Sequence, residues 1–464
     1  MNPANAPVLE GERLRAQLEP LAARAGIRQW DLGASCSTDL SVQVDRGEPK
    51  QMKGAERRAV TVRVWNDQGL VGITSTSDLS EAGLGRALEG ARQASAFGNP
   101  EEIPAFSPLA KDPLRRLDQP LSEGCSILDL LARLKTAERD LLSRHGAITT
   151  VPYNGLAQRS SERLYLNSDG ALRHQRMSTA SLYLYARAEE AGRKPRSSGA
   201  VRLAHGIEDL DVEGCIAEAA ERTISHLNYA PIATGRYTCV FSPEAFLDLI
   251  GAFSSLFNAR AVLDGVSLSR RESLGETLAV PFLSLIDNAL NPANIGAPLF
   301  DGEGTPTAPL TLVEGGVLRH FLHSEATARA FGVAPTGHAG MGAKGSVSPD
   351  WFEIAPPPGG PAGEEGLDRF AVSGRRAGDG PLVVIDSLSA LHAGVKASQG
   401  AFSLPFDGWL VRGEESRSIE SATVAGDIRD VLRNLVGFEG PGKITPSGLC
   451  PWVWVEGLTI TGDA

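Results

Sequence analysis

The 464-residue sequence predicts an α+β fold in two domains, built mainly from antiparallel sheets with packed helices, the second domain strand-rich. Length is the first reason, because a single hydrophobic core stops growing well before this size. Composition is the second: 42% hydrophobic and 22% charged residues describe a globular chain, and 51 Gly with 29 Pro punctuate many strands and turns. The third is a change of pattern. Helices and hairpins alternate as far as about residue 232, and from Arg236 onward short apolar strand-like runs dominate. The expected domains are therefore 1–232 and 233–464.

A first helix over about 9–25 leads to strand-like runs at 39–45, 58–65 and 70–76. The last two flank Asn66, Asp67, Gln68 and Gly69, residues that tolerate positive φ and so suit a hairpin in an antiparallel meander. A helix beginning near Ser80, with Asp78 in capping-box spacing to Glu81, carries Leu84, Leu88, Ala91 and Ala94 on one stripe and should cover that sheet. Residues 97–120, rich in Pro and Asp, read as a surface connection. A second helix carries Ile127, Leu130, Leu131, Leu134, Leu141 and Leu142, with Gly146 at the expected C′ position. Two strands follow around the turn Asn167, Ser168, Asp169, Gly170, and then a helix over about 211–228.

In the second half one helix stands out, with Ser242 as N-cap, Pro243 at the first helical position and Glu244 in the first turn. Phe246, Leu249, Ile250, Phe253, Leu256 and Phe257 cover more than one stripe, so it should be buried on most sides. A hairpin is expected around Glu314, Gly315 and Gly316, and a long flexible loop near 355–380, where Pro and Gly dominate.

The formal charge of −11 argues against nucleic acid as a partner, since phosphate neutralisation needs a surplus of Lys and Arg. No apolar run is long enough to span a bilayer, and the start MNPANAPVLEGERL has no secretory pattern, so a cytoplasmic location without membrane association is expected. Cys36, Cys125, Cys215, Cys239 and Cys450 form no CxxC pair and suit neither a disulfide framework nor a four-thiolate zinc site.

Several catalytic patterns fail on context. Gly340, Gly342 and Gly345 spell GxGxxG, but no helix pattern follows. Gly437 to Lys443 spells GxxxxGK, yet Ile444 replaces the Ser or Thr that would hold Mg²⁺, and a helix-terminating turn is expected instead. No GxSxG occurs. None of the eight histidines is followed by Glu, which excludes the neighbouring His and Glu of a zincin helix. His320 and His323, three apart in a strand-like context, should point to opposite faces, and His338 and His392 read as loop residues with surface or hydrogen-bonding roles.

Several segments together resemble one family. VTVRVWNDQGLVGITSTSDLS (60–80), SLIDNALNPANIGAPLFDGEGTPT (284–307), LVEGGVLRHFLHSEATARAFG (312–332), TGHAG (336–340) and HAGVKASQGAFS (392–403) resemble, in order and spacing, segments of the TldD/PmbA (TldD/TldE) family of peptidases. The resemblance implies an assembly of two related subunits, one carrying an H-E-x-x-x-H helix and a carboxyl-terminal Cys that bind zinc. At the corresponding place this chain has SPEAFLDLIGAFSSLFN, offering Gly, Ala and Ser types at about Gly251, Ala252 and Ser255.

By the same resemblance the chain is expected to be a PmbA/TldE-like subunit without the zinc motif, non-catalytic alone, paired with a zinc-bearing TldD-like paralogue and acting on unfolded peptide. No cofactor is expected in this chain and zinc only in the partner, with Cys450 not a ligand. Candidates for a peptide or partner groove are His392, Gly394, Phe402, Ser403, Asp301 and Glu303. The competing expectation is a stand-alone homo-oligomeric binding module without peptidase activity.

Overall fold

The computed structural model describes residues 9–100, 103–117, 119–342, 345–354, 381–412 and 415–462. The loop expected near 355–380 lies outside the described residues. The architecture is α+β with mainly antiparallel sheets, as expected, and it divides into two compact units. The first takes the chain as far as Ile224 and adds Ile295–Ala308 and His323–Ser348; the second takes Ser225–Asn294, Pro309–Leu322 and the chain from Pro349.

The first unit is built on a six-stranded antiparallel sheet. Its strands are β1 (Gln29–Asp45), β2 (Glu48–Trp65), β3 (Val71–Thr76), β4 (Ile148–Asn167), β5 (Leu172–Ala188) and β6 (Arg196–Ala204), in the order β3-β2-β1-β4-β5-β6. Side chains alternate across a strand, so the even-numbered residues of β1 share one face. At one end that face puts Leu32, Ala34 and Cys36, with Val60, Val62 and Val64, beneath α1 (Gly11–Arg24) and α2 (Glu81–Ala94). At the other end it puts Leu40, Val42 and Val44 beneath α3 (Ile127–Ser143) and α4 (Val212–Ser225).

The helices start where the caps dictate. Ser80, rather than Asp78, caps α2 by accepting from Gly83 N, and Asp78 accepts from Ser80 N instead. Ser126 and Asp129 form a capping box at α3. Gly146 does not take the left-handed conformation of a C′ residue. Leu130, Leu134 and Leu141 of α3 are fully buried, each worth roughly 1.5–3 kcal/mol of apolar transfer.

Strand β6 is not foreseen from the sequence pattern. Its sequence RSSGAVRLA lacks a continuous apolar alternation, and it is fixed at the sheet edge by α4. Thr223 Oγ1 donates to Ser198 O at 3.0 Å and Arg222 Nη1 to Gly199 O at 3.2 Å, so polar groups on that edge find partners.

The second unit carries β7 (Tyr229–Ala230), β8 (Gly235–Phe241), α5 (Pro243–Ala252), α6 (Ala259–Leu263), β9 (Leu285–Asp287), β10 (Leu310–Glu314), β11 (Val317–Leu318) and β12 (Phe352–Ile354). The helix α7 (Glu325–Phe331), between β11 and β12 in the chain, belongs to the first unit. Farther along the second unit come β13 (Leu382–Leu388), α8 (Leu391–Gly394), β14 (Val395–Lys396), β15 (Ala401–Arg412), β16 (Glu415–Ile419), β17 (Ala422–Asp427), α9 (Ile428–Arg433), β18 (Leu435–Thr445) and β19 (Gly448–Gly462).

The pairings close a ring: β8 pairs with β13, β13 with β15, β15 with β17, β17 with β19, and β19 with β8. This five-stranded barrel is antiparallel except between β8 and β13. Ring closure removes free edges from these strands. Helix α5 packs against β13 and β19, and Phe241 meets Phe246 edge-to-face at 6.0 Å. The GxxxxGK run lies within strand β18 and is not a helix-terminating turn, because α9 ends at Arg433.

Gly72 shows how closely α2 approaches β3. A Cβ there would stand 2.0 Å from Ala91 O and 2.2 Å from Ser95 N, both backbone atoms that cannot swing away. Gly72→Ala is therefore expected to destabilise the first unit by roughly 1–3 kcal/mol, the usual cost of overpacking. Calorimetric melting checks this; an unchanged first-unit transition would show that the helix can shift without penalty.

Candidate functional site

In the first unit the odd-numbered face of β1 carries a charge cluster sealed from water. Asp31 and Arg63 are cross-strand partners on β1 and β2, and both are 0% exposed. Arg63 Nε and Nη2 donate to the Asp31 carboxylate at 3.0 and 2.5 Å, the forked geometry that suits guanidinium to carboxylate. Tyr165 Oη, from β4, donates to Asp31 Oδ2 at 3.2 Å, and Arg63 Nη1 donates to Gly342 O at 3.2 Å. Glu303 brings Oε1 to 3.6 Å from Arg63 Nη1. The sequence carried a faint signal for this cluster: a single Asp in QWDL and a single Arg in VRVW, each inside an apolar strand.

Asp301 and Glu303, expected to line a groove, both sit in this interior, 5% and 0% exposed. Asp301 Oδ1 accepts from Glu303 N and Thr305 N at 2.8 and 2.9 Å, and Oδ2 accepts from Ala339 N at 2.9 Å. Burial raises its pKa in spite of those bonds. Glu303 Oε2 accepts from Glu325 N, the first residue of α7, at 2.8 Å, while Oε1 has no hydrogen-bond partner among the described residues. Burial pushes Glu303 up to about 7, against the opposing pull of Arg63.

This raised pKa has a direction for stability. A carboxyl whose folded value exceeds its unfolded one stabilises the fold fully below the unfolded value, here 4.5, and that contribution is lost as pH rises through about 7. Glu303→Gln keeps the shape and removes the titration. The variant is expected to melt higher than the wild type at pH 8, with the advantage shrinking toward pH 4.5; melting curves across pH that run parallel would refute it.

In the second unit the groove candidates cluster beside α5. Helix α8, which contains His392 and Gly394, packs on α5, and β14 next to it pairs with β15 through Val395 and Phe402. His392 and Ser403 are exposed. Phe402 is buried and meets Phe253 edge-to-face at 6.3 Å, and a Cβ on Gly394 would stand 2.3 Å from Ser403 O, so this approach requires glycine. Ala390, just before α8, holds φ 57°, a left-handed conformation that costs an alanine energy.

Helix α5 itself presents Glu244, Asp248, Gly251, Ala252 and Ser255 on its half-buried side, the last in the 3₁₀ turn that follows the helix. A Cβ on Gly251 would meet nothing within 4 Å, so open space lies where the zinc motif would begin. Counted strictly from Gly251, the last position of H-E-x-x-x-H is Leu256, 1% exposed, rather than Ser255. Burial, with Glu244 one turn earlier, pushes Asp248 up to about 6. Cys450 is fully buried in β19 and its thiol is held well above the ordinary range by burial.

The expectation that metal-binding groups would be found only in a partner is corrected. Asp287, His338 and Asp350 each offer a ligand atom, and these atoms lie within 4.8 Å of one another. A His/Asp/Asp set is the donor chemistry of borderline divalent ions such as zinc, iron or manganese. His338 lies in a loop and makes a hydrogen-bonding contact, Nδ1 to Thr336 Oγ1 at 2.8 Å, but it is buried rather than at the surface. Sequence reasoning misses the set because ligands are recognised there by short fixed spacings, whereas these come from three separate segments.

Comparison with known proteins agrees with this architecture. Models of PmbA/TldA metallopeptidase domain 1, central domain and C-terminal domain match residues 30–95, 122–227 and 234–462. Metalloprotease PmbA of Escherichia coli O157:H7 is 25% identical over 448 residues, 93% of this chain and 92% of its own. A crystal structure of a protein from Thermotoga maritima MSB8 superposes with a TM-score of 0.84 at 25% identity, covering 97% of this chain and all of that one. TldE from Thermococcus kodakarensis superposes with a TM-score of 0.83 over 96% of this chain and 100% of its own; at 18% identity it speaks for the fold alone. With all three domain models matched in order along its length, the chain belongs to the PmbA/TldA metallopeptidase family.

Proposed function

We propose that, within the proteolytic and peptide-binding role of this family, the chain is the subunit of a TldD/TldE-type complex whose helix α5 lacks the zinc motif. It would act on unfolded peptides beside a zinc-bearing TldD-like paralogue, in the cytoplasm, where its five free cysteines stay reduced. The observation that carries this reading is the half-buried side of α5. Peptide hydrolysis at a zinc centre of the expected kind needs imidazole ligands and a carboxylate base for the activated water. Gly251 and Ala252 offer neither, and the Leu256 side chain is turned into the core.

What this chain contributes is a wall. Exposed His392 and Ser403 stand beside α5, on segments joined by the pairing of β14 and β15, and Gly394 keeps that junction tight. Such a surface can hold an extended peptide through backbone and small polar contacts, which tolerate many sequences. The names of the relatives, a metalloprotease PmbA and a TldE, support the reading.

The test is a flexible peptide incubated with this chain, with the TldD-like paralogue, and with both. Turnover is expected only, or at least about tenfold faster, in the mixture, since completing a preorganised site typically changes rates by one order of magnitude or more. Full turnover by this chain alone, or equal turnover by the paralogue with and without it, would overturn the proposal.

A further inference from the structure

Among the described residues, the odd-numbered face of β1 is covered by an apolar cluster at one end only. Around Asp31 it lies beneath Ala110, Phe300 and Met341, but at Asp39, Ser41 and Gln43 the same face is not covered by a helix cluster. Tyr183 keeps this part low. Its ring lies across β4, where a Cβ on Gly155 would come within 2.4 Å of it, and its hydroxyl accepts from Gln43 Nε2 at 2.7 Å.

Next to that ring the sheet forms a cavity of about 290 Å³. The register explains its lining: Lys53, Ser41, Ala157 and Ser181 make one cross-strand row, and Asp39, Arg159 and Thr179 the next, with Arg57 reaching in from β2. Three cations therefore surround a single carboxylate, a local surplus of positive charge in a chain whose formal charge is −11. Asp39 is shared at long range, 3.5 Å from Arg57 Nη1 and 3.6 Å from Arg159 Nε, so neither guanidinium is engaged in a forked pair. Lys53 makes no ion pair among the described residues, and the floor adds the hydroxyls of Ser41, Thr179 and Ser181.

We infer that this cavity binds a multiply charged oxyanion of the phosphate class. Two guanidiniums and an ammonium lining a hollow that also holds three hydroxyls offer donors for several tetrahedral oxygens at once, and its small size lets one anion reach more than one of them. A phosphate also relieves the crowding of like charges that Asp39 alone offsets incompletely. The cavity lies wholly within the first unit, and its chemistry does not depend on the subunit role proposed above.

The probes are inorganic pyrophosphate and, separately, citrate, each titrated calorimetrically into the full chain at ionic strength matched with sodium chloride. Pyrophosphate is expected to bind saturably with about one site per chain. Arg57→Gln combined with Arg159→Gln should weaken it by about tenfold or more, as expected when two charge-assisted contacts are lost. Arg187→Gln, on the same face but outside the cavity and paired with Glu189, should leave affinity unchanged. All three are surface changes, and a melting curve for each variant separates loss of binding from loss of fold. Failure of pyrophosphate to bind, citrate binding in its place, or equal weakening by Arg187→Gln would each overturn the inference.

Discussion

A guanidinium with no access to water must find its countercharge inside the protein, and the first unit is arranged around meeting that demand for Arg63. Removing such an ion from water costs several kcal/mol, so leaving Arg63 without its partner would cost roughly 3–5 kcal/mol. Asp31 supplies the main countercharge from the neighbouring strand, but the remaining donors are met by distant parts of the chain. Gly342, 279 residues away, accepts one of them, and Glu303 leans its carboxylate toward another. Through Glu303 the cluster holds the start of α7, and through Asp301 it holds Ala339. Two segments from the second half of the sequence are thereby tied to strands laid down near its beginning. The ion pair is better understood as specifying which segments meet than as adding net stability.

Much of the fold was legible because it rests on local rules. Ser242 with Pro243 and the positive φ of Gly315 and Gly316 follow from residue chemistry within a few positions. Strand ends were harder to read. β2 runs much longer than its apolar part because pairing with β1 from Asp39 to Asp45 holds polar residues such as Gln51 and Lys53 in extended conformation, and β1 itself starts at Gln29, ten residues before the run expected from the sequence. β6 was invisible for a related reason: what makes it a strand is its neighbour β5 and the cap from α4, not its own pattern. The site was least legible of all. Asp301 and Glu303 were recognised by resemblance, but their burial and the Asp31–Arg63 partnership are products of tertiary pairing.

The folding of helix α5 rests on features separate from any chemistry it could carry. The features that make it a helix are all present: the Ser242 cap, proline at the first position and an apolar face against β13 and β19. None of these concerns the half-buried side on which a zinc motif would lie. A side chain at Gly251 would leave packing undisturbed, because its Cβ would meet no atom within 4 Å. The residue type at such a position weighs little on the fold, which makes the helix a poor reporter of function when judged by shape alone.

The ring of β8, β13, β15, β17 and β19 carries a consequence for the order in which the chain is made. β8 ends at Phe241, yet its two neighbours begin at Leu382 and Gly448, and Thr234 bonds Gly462 across 228 residues. On a ribosome, Cys239, Val240 and Phe241, none of them exposed in the finished ring, would emerge with both sides unpaired and wait until much of the remaining chain had followed. An apolar strand in that state is the kind of surface on which nascent chains associate wrongly. Biosynthesis of this protein therefore favours conditions that shield the strand during the wait, such as chaperone cover, and the demand ends only when β19 closes the barrel.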